Sequence, residues 1–278
     1  YEPYKVNKDN HIGETISILQ QKMPDFYDYN FIIHNKNTSE LPNTSDTEWF
    51  GKKRVLIWES AEDKFIPQEK LKGKYHHIFA NYYWDTDTIT SIPLGCYSNL
   101  EHEIIPMDER LHNISFIGCL NRNRLKLASM LSKIPYTAII LASYAKEYRM
   151  LGLINHMVKW LHPRDYYNFT SDFGKGFDKG TYMDLLHSSK ISLCPRGWKN
   201  VESFRIYESM RAGCAVITEK LPDRSYYKDI PVIQVNDWKM GLTVANSMLK
   251  DQSGLISRLG QASRKFWEQK LSPEATAK

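Results

Sequence analysis

The stretch KISLCPRGWKNVESFRIYESMRAGCAVIT, Lys190 to Thr218, constrains the chain more than any other. It reads as strand, basic turn, amphipathic helix, glycine stop and strand. The apolar run Lys190–Cys194 passes directly into Pro195-Arg196-Gly197, residues that break regular structure. Asn200 is the expected N-cap, and Val201, Phe204, Tyr207 and Met210 trace an apolar stripe at helical spacing. Gly213 then supplies the stop before the next apolar run, Cys214–Thr218. Strand, crossover helix and strand in this order build one unit of a parallel α/β sheet.

Similar short apolar runs recur along the chain. Strands are expected at Asn30–His34, Arg54–Trp58, His76–Tyr82, Ile114–Gly118, Tyr136–Leu141, Lys190–Cys194, Cys214–Thr218 and Pro231–Val235. Several are apolar almost without interruption, as strands covered on both faces are. Helical periodicity marks Asn123–Ser132, Tyr182–Ser189, Val201–Ala212 and Met240–Leu249, and Leu255, Leu259, Ala262 and Phe266 share one helix face near the end. The expectation is an α/β chain with two Rossmann-like domains facing across a cleft, the first with three strands and the second with five. EHEIIPMDERLHN reads as the linker, which divides the chain into residues 1–108 and 109–250. The piece 251–278 is expected to carry a helix, Gly254–Leu271, that crosses back to the first domain. The polar stretch Thr38–Glu48 reads as a turn-rich insertion.

Charge and cysteine usage narrow the partners. A formal charge of +5 over 278 residues suits an anionic small ligand, and the lysines are scattered among acids, so no nucleic-acid partner is expected. Cys96, Cys119, Cys194 and Cys214 sit in or beside apolar runs without CxxC spacing, which fits reduced, buried thiols. No stretch approaches the ~18 apolar residues of a membrane span, and no membrane partner is expected of the chain as given. It opens at Tyr1 rather than Met, which suggests a trimmed chain from which an anchor or targeting segment was removed. The compartment stays open between a cytoplasmic protein, a viral one in a host cytoplasm included, and a Golgi-lumenal domain. The oligomeric state stays open as well.

Chemistry concentrates in the Lys190–Thr218 stretch. Amides at the helix start, with Arg196, Lys199 and Arg205 close by, would hold a diphosphate. Glu208, one turn beyond Arg205 and expected on the polar side, would accept ribose hydroxyls. The plainer alternative is a surface helix on which Arg205, Glu208 and Arg211 merely pair at helical spacing. Pattern alone leaves both open.

The segment resembles the donor-nucleotide motif of exostosin-like glycosyltransferases: an apolar strand, Pro195-Arg196-Gly197, Ser203-Phe204-Arg205, Glu208, Ala212-Gly213-Cys214 and an apolar strand. The resemblance implies a GT-B architecture, inversion at the anomeric carbon, a nucleotide in the C-terminal domain and no obligatory metal. It implies Arg196 and Arg205 on phosphate or uracil, Ser203 and Phe204 on the nucleotide, and Glu208 on ribose. Ile114–Arg124, ISFIGCLNRNR, resembles the opening strand and loop of that domain, where Gly118 would admit close backbone approach and Arg122 or Arg124 would reach the diphosphate. Residues 1–108 then become the acceptor side and 109–250 the donor side. The implied partners are a nucleotide-sugar donor and a glycan acceptor: a UDP-sugar, with UDP-xylose or another pentose first and UDP-galactose or UDP-glucuronate next.

Inverting transfer needs a general base, and Glu59 at the end of RVLIW is the candidate. VLIWES also resembles the F-E-S segment of fucosyltransferases that use GDP-fucose, and Ala80–Gly95 resembles their S-Y-R-x-D-S-D-I…P-Y-G segment, with Arg missing and Leu94 in place of Tyr. A GDP-fucose-dependent enzyme is therefore the alternative, and a non-catalytic nucleotide- or carbohydrate-binding domain, or an interaction protein, lies further off. Asp85-Thr86-Asp87 has the form of a metal-binding DxD, but WDTDT reads better as a turn, with Asp85 or Asp87 touching acceptor; a divalent metal is not expected. His34, His76 and His77 end or line first-half strands within reach of acceptor or in plain structural roles. The glycine-rich DFGKGFDKG lacks P-loop order and reads as a mobile loop near the donor. N-x-[ST] sequons at Asn37, Asn43, Asn113 and Asn168 hint at a secretory lumen.

Overall fold

In the computed structural model, which describes residues 10–34, 52–59, 71, 73–96, 103–144 and 148–278, the chain forms two units. One comprises Tyr1–Asn99, Asp223–Lys228 and Lys270–Lys278; the other comprises Leu100–Pro222 and Asp229–Gln269. The insertion Thr38–Glu48 and the sequons at Asn37 and Asn43 lie outside the described residues.

The first unit is a parallel sheet in the order β1 (Tyr29–His34), β2 (Lys53–Trp58), β3 (His77–Ala80), β4 (Ile89–Ser91). Its β2 shows why RVLIW is apolar without a break. Val55 and Ile57 pack with Phe26, Phe31 and Ile92 and with Ile12 and Ile16 of helix α1 (His11–Lys22), while Leu56 and Trp58 pack in a second cluster with Leu71, Tyr75, Ile78 and Tyr83. A strand buried on both faces has no polar positions to alternate. Asn10 caps α1 by accepting from the Gly13 amide at 2.7 Å. The last helical turn of the chain, Pro273–Thr276, packs on α1, where the Thr276 hydroxyl lies 3.1 Å from His11 Nε2.

The second unit holds a five-stranded parallel sheet in the order β6-β5-β7-β8-β9, formed by β5 (His112–Cys119), β6 (Tyr166–Thr170), β7 (Ser189–Cys194), β8 (Ala215–Glu219) and β9 (Ile233–Val235). Helices α2 (Leu125–Ser132), α3 (Tyr136–Tyr144), α4 (Tyr148–Leu161), α5 (Lys179–His187), α6 (Phe204–Arg211), α7 (Trp238–Lys250) and α8 (Leu255–Phe266) connect and follow the strands. Two parallel, Rossmann-like sheets are thus present, as the sequence leads one to expect.

Three of the strand assignments depart from expectation. Tyr136–Leu141 is helix: Ile139 and Ala142, three apart, are buried while Leu141 is exposed. A short apolar run satisfies either period, and here the chain continues helical for another turn. The fifth strand of the sheet is instead Tyr166–Thr170, passed over because YYNFT carries few aliphatic residues. Ile89–Ser91 adds a fourth strand to the first sheet where three were expected. Asn113 and Asn168 both lie in paired strands rather than loops, poor sites for glycosylation.

Arg110 ties the second unit together just ahead of β5. Only 5% exposed, it donates from Nε to Ile105 O (3.0 Å), from Nη1 to Ser189 O (2.8 Å) and from Nη2 to Ala212 O (2.8 Å). The last two carbonyls belong to the start of β7 and the end of α6, beside Gly213, whose positive φ of 69° ends the helix. Substituting Arg110 by Met would strip buried carbonyls of their donor at about 1–3 kcal/mol for each left unsatisfied. Urea titration should show Arg110→Met destabilised by about 3 kcal/mol or more; a loss under about 1 kcal/mol would show that the carbonyls find other partners.

Candidate functional site

In the second sheet the chain order reverses at β5: its second strand, β6, lies on one side and its third, β7, on the other. Open parallel sheets bind ligands beyond the carboxyl ends of strands flanking such a point. The residues singled out from the sequence lie here, on the loops that leave β5 and β7 and on the helix α6 that follows.

The β5 loop, Asn121–Arg124, acts on the β7 loop through its side chains. Asn123 Nδ2 donates to the carbonyls of Gly197 and Trp198, each at 2.8 Å. Arg124 donates to Arg196 O (3.1 Å), Cys119 O (2.8 Å) and Pro195 O (3.4 Å). The turn Pro195-Arg196-Gly197 is thus clamped by NRNR, and the Gly197 amide closes it on Asn200 O at 2.8 Å.

Helix α6 is buried along most of its length, and Ser209 fixes its rotation by donating to Ser192 of β7 at 2.7 Å. Arg205, one turn earlier, therefore reaches across to β5. Its Nε and Nη2 both donate to Ile117 O, at 2.9 and 2.6 Å, and its guanidinium carbon lies 4.9 Å from the centre of the Phe116 ring. Gly118 makes this possible: a Cβ there would sit 2.1 Å from Arg205 Nη2. The group that comes close to Gly118 in the structure is the Arg205 side chain.

Two cations share this edge. Arg124 stands 5.6 Å from the same Phe116 ring and is 5% exposed. Burial first, and then the charge of Arg205, pull its pKa down to about 9. Like charges held together out of water favour a bound anion. Three of the buried polar atoms that lack partners lie in the same motif. Arg205 Nη1, Ser203 Oγ and Arg196 Nε are buried and have no hydrogen-bond partner among the described residues. Such groups normally find one, at a cost of about 1–3 kcal/mol each when they do not. Ser203 is the N-cap residue of α6, yet its hydroxyl makes no cap bond.

Four expectations need correction. The helix starts at Phe204 with Ser203 as N-cap, so Asn200 lies in the turn and does not cap it. Arg124 spends its donors on carbonyls and is a clamp; Arg122, exposed on the same loop, is the arginine left to meet solvent or ligand. Glu208 is not on a polar surface: it is 5% exposed and accepts a hydrogen bond from the Tyr182 hydroxyl of α5, whose pKa burial and the carboxylate push well above its usual value. The surface-helix alternative fails with it, since Arg211, like Glu208, is buried and lies over the Trp267 ring at 5.3 Å. Phe204 is the first residue of the helix and half-buried. Nothing in the sequence marks Asn123 as a clamp beyond its place between two arginines, and nothing marks Tyr182 as a partner of Glu208.

In the first unit, Glu59 follows β2, its amide bonded to His34 O at 2.9 Å. Its carboxyl is half-buried, and desolvation raises its pKa. Asp85 is committed to a turn: Oδ1 accepts from the Ser91 amide at 2.6 Å and Oδ2 from the Ser225 hydroxyl at 3.2 Å. Asp87 is exposed. His76 accepts from the Arg54 amide, His77 pairs with Thr90, and His34 stacks edge-on against Trp58. Among the described residues no group of three His, Cys, Asp or Glu side chains could hold a metal ion, and no helix is long and apolar enough to cross a membrane.

No protein-family model and no curated protein matches the chain. Solved structures do. A glycosyltransferase from Rickettsia africae ESF-5 is similar in fold, with a TM-score of 0.50 at 12% identity over 100% of this chain and 80% of that one. The GtfA/B complex superposes with a TM-score of 0.48 at 10% identity over 82% of this chain, which spans about half, 51%, of the other.

Arg205→Ala removes a charge-assisted donor and should weaken binding of inorganic pyrophosphate or a nucleoside diphosphate by about 1.5–3 kcal/mol, roughly ten- to hundredfold in Kd. Gly118→Ala, which displaces the same guanidinium and strains a backbone held at φ 156°, should lose at least a similar factor. Unaltered affinity in both variants would remove this edge as an anion site.

Proposed function

We propose that the chain is an inverting glycosyltransferase that moves a sugar from a UDP-sugar to a hydroxyl of a glycan acceptor. What carries the reading is the set of partnerless buried donors, Arg205 Nη1, Ser203 Oγ and Arg196 Nε, in a clamped motif at the switch point of a Rossmann-like sheet. The motif resembles the donor-nucleotide segment of exostosin-like enzymes. The Rickettsia protein of similar fold is itself a glycosyltransferase, and its activity is carried over here as part of the proposal. UDP-xylose or another UDP-pentose is the first donor to try, then UDP-galactose and UDP-glucuronate.

In this mechanism the diphosphate lies against Arg205 and Arg196, with Arg122 reaching it from solvent and the Ser203 hydroxyl completing the cradle. Asn123 and Arg124 hold the turn in place without touching donor. Glu208, oriented by Tyr182, accepts from the ribose hydroxyls; its carboxylate has lone pairs for more than one donor. Glu59 takes the proton of the acceptor hydroxyl as its oxygen attacks the anomeric carbon. The bond from that carbon to the diphosphate oxygen breaks, UDP leaves as an anion, and inversion follows from the single displacement. The arginines stabilise the charge that develops on the leaving group, with no metal required.

The raised pKa of Glu59 makes it a stronger base than an ordinary carboxylate, and it also costs stability. A carboxyl whose folded pKa lies above its unfolded value contributes most to stability below the unfolded value and loses that contribution as pH rises through the folded one. At neutral pH the ionised, half-buried Glu59 is therefore a destabilising group. Glu59→Gln should lower kcat on the order of 10²–10⁴-fold, with a product assay against a panel of UDP-sugars and glycan acceptors as the readout. Its Tm at pH 7 should equal or exceed that of the unsubstituted chain, and the difference should vanish below about pH 4. Full turnover in Glu59→Gln would remove it as the base.

A further inference from the structure

Helix α4 (Tyr148–Leu161) lies on the sheet through Ile154 and Val158, both fully buried. Its opposite side, Arg149, Gly152, Leu153, His156, Lys159 and Trp160, is exposed, and the spacing of these residues places all six on one narrow face. That face is unusual in content. Trp160 is 71% exposed and Leu153 47%, and Leu141 of α3, which packs on the same helix α2, is 70% exposed. Isolated exposed apolar residues are ordinary, but here two large ones stand on a single face among basic side chains. Neither α3 nor α4 contains an Asp or Glu.

The helix cannot turn this face inward. Asn155 is locked to β6 in both directions, donating from Nδ2 to Phe169 O at 2.8 Å and accepting from the Phe169 amide at 2.9 Å. The rotation that exposes Leu153 and Trp160 is set by the sheet.

We propose that the exposed face of α4 docks on an anionic lipid surface. Tryptophan and leucine flanked by Arg and Lys suit the boundary between headgroups and acyl chains: the apolar side chains enter it and the cations stay with lipid phosphates. The charge selects this occupant. A second copy of the same face would bring Arg149 and Lys159 against their own counterparts, whereas an anionic bilayer complements them. The expectation of no membrane partner rested on the lack of a spanning segment, and lying on a surface requires none.

Co-sedimentation of the full chain with phosphatidylcholine vesicles, with and without phosphatidylglycerol, tests the proposal. The chain should pellet with the anionic vesicles, stay in solution with the neutral ones, and be released by salt. Leu153→Ser with Trp160→Ser, and separately Arg149→Glu with Lys159→Glu, should each lower the bound fraction about tenfold or more. All four side chains are exposed, so pyrophosphate binding should be retained and serves as the control for folding. No sedimentation with anionic vesicles, or equal sedimentation of the variants, would overturn the proposal. So would a self-associated chain that becomes monomeric in the Leu153/Trp160 variant, since a second copy would then be the occupant.

Discussion

Arg124 and Arg205 lie against one phenylalanine ring at the end of β5, and the geometry of the candidate site follows from how each is held. A guanidinium withdrawn from water must find acceptors, and the nearest ones are backbone carbonyls at strand ends. Arg124 takes three of them and so fixes the turn after β7 to the turn after β5. Arg205 spends Nε and Nη2 on Ile117 O and keeps Nη1 without a partner. One arginine fixes the turn, and the other holds a donor that the proposed anion would meet. Their mutual repulsion, felt in the lowered pKa of Arg124, is a cost that an anion would offset.

Arg110 serves the same unit differently. Its bonds join the start of β7 to the end of α6, the two ends of the segment that carries Arg196, Ser203 and Arg205. Ser209 on Ser192 adds a contact in the middle of the helix. The motif is therefore fixed at its ends and along its length before any ligand arrives, which is what electrostatic stabilisation of a leaving group demands. At Glu59, the proposed base, burial raises the basicity of the carboxyl and weakens the fold at neutral pH.

How much of this the sequence disclosed depends on the range of the interaction. The strand–turn–helix–strand order of Lys190–Thr218 was legible because apolar runs, Pro-Gly breaks and a glycine stop are local. The start of α6 was misplaced to Asn200 because a good capping side chain is a local preference that the clamped turn overrides. Tyr136–Leu141 misled because a short apolar run fits both periods, and Tyr166–Thr170 escaped because aromatic and polar residues hid a strand. Glu208 was assigned to a polar face by helical spacing alone, since nothing in the sequence tells that α5 covers it with Tyr182. The clamps made by Asn123 and Arg124 span more than seventy positions and leave no local signature.

The central claim is that the edge formed by β5, β7 and α6 holds a uridine diphosphate through protein cations. Calorimetric titration of the chain with UDP and with GDP, each with and without Mn²⁺, tests it most directly. The account predicts that UDP binds in preference to GDP and with an affinity that Mn²⁺ leaves unchanged. A preference for GDP would transfer the site to a GDP-sugar, and metal-dependent binding would move the phosphate charge from the arginines to a cation. Absence of binding by both nucleotides would contradict the claim outright.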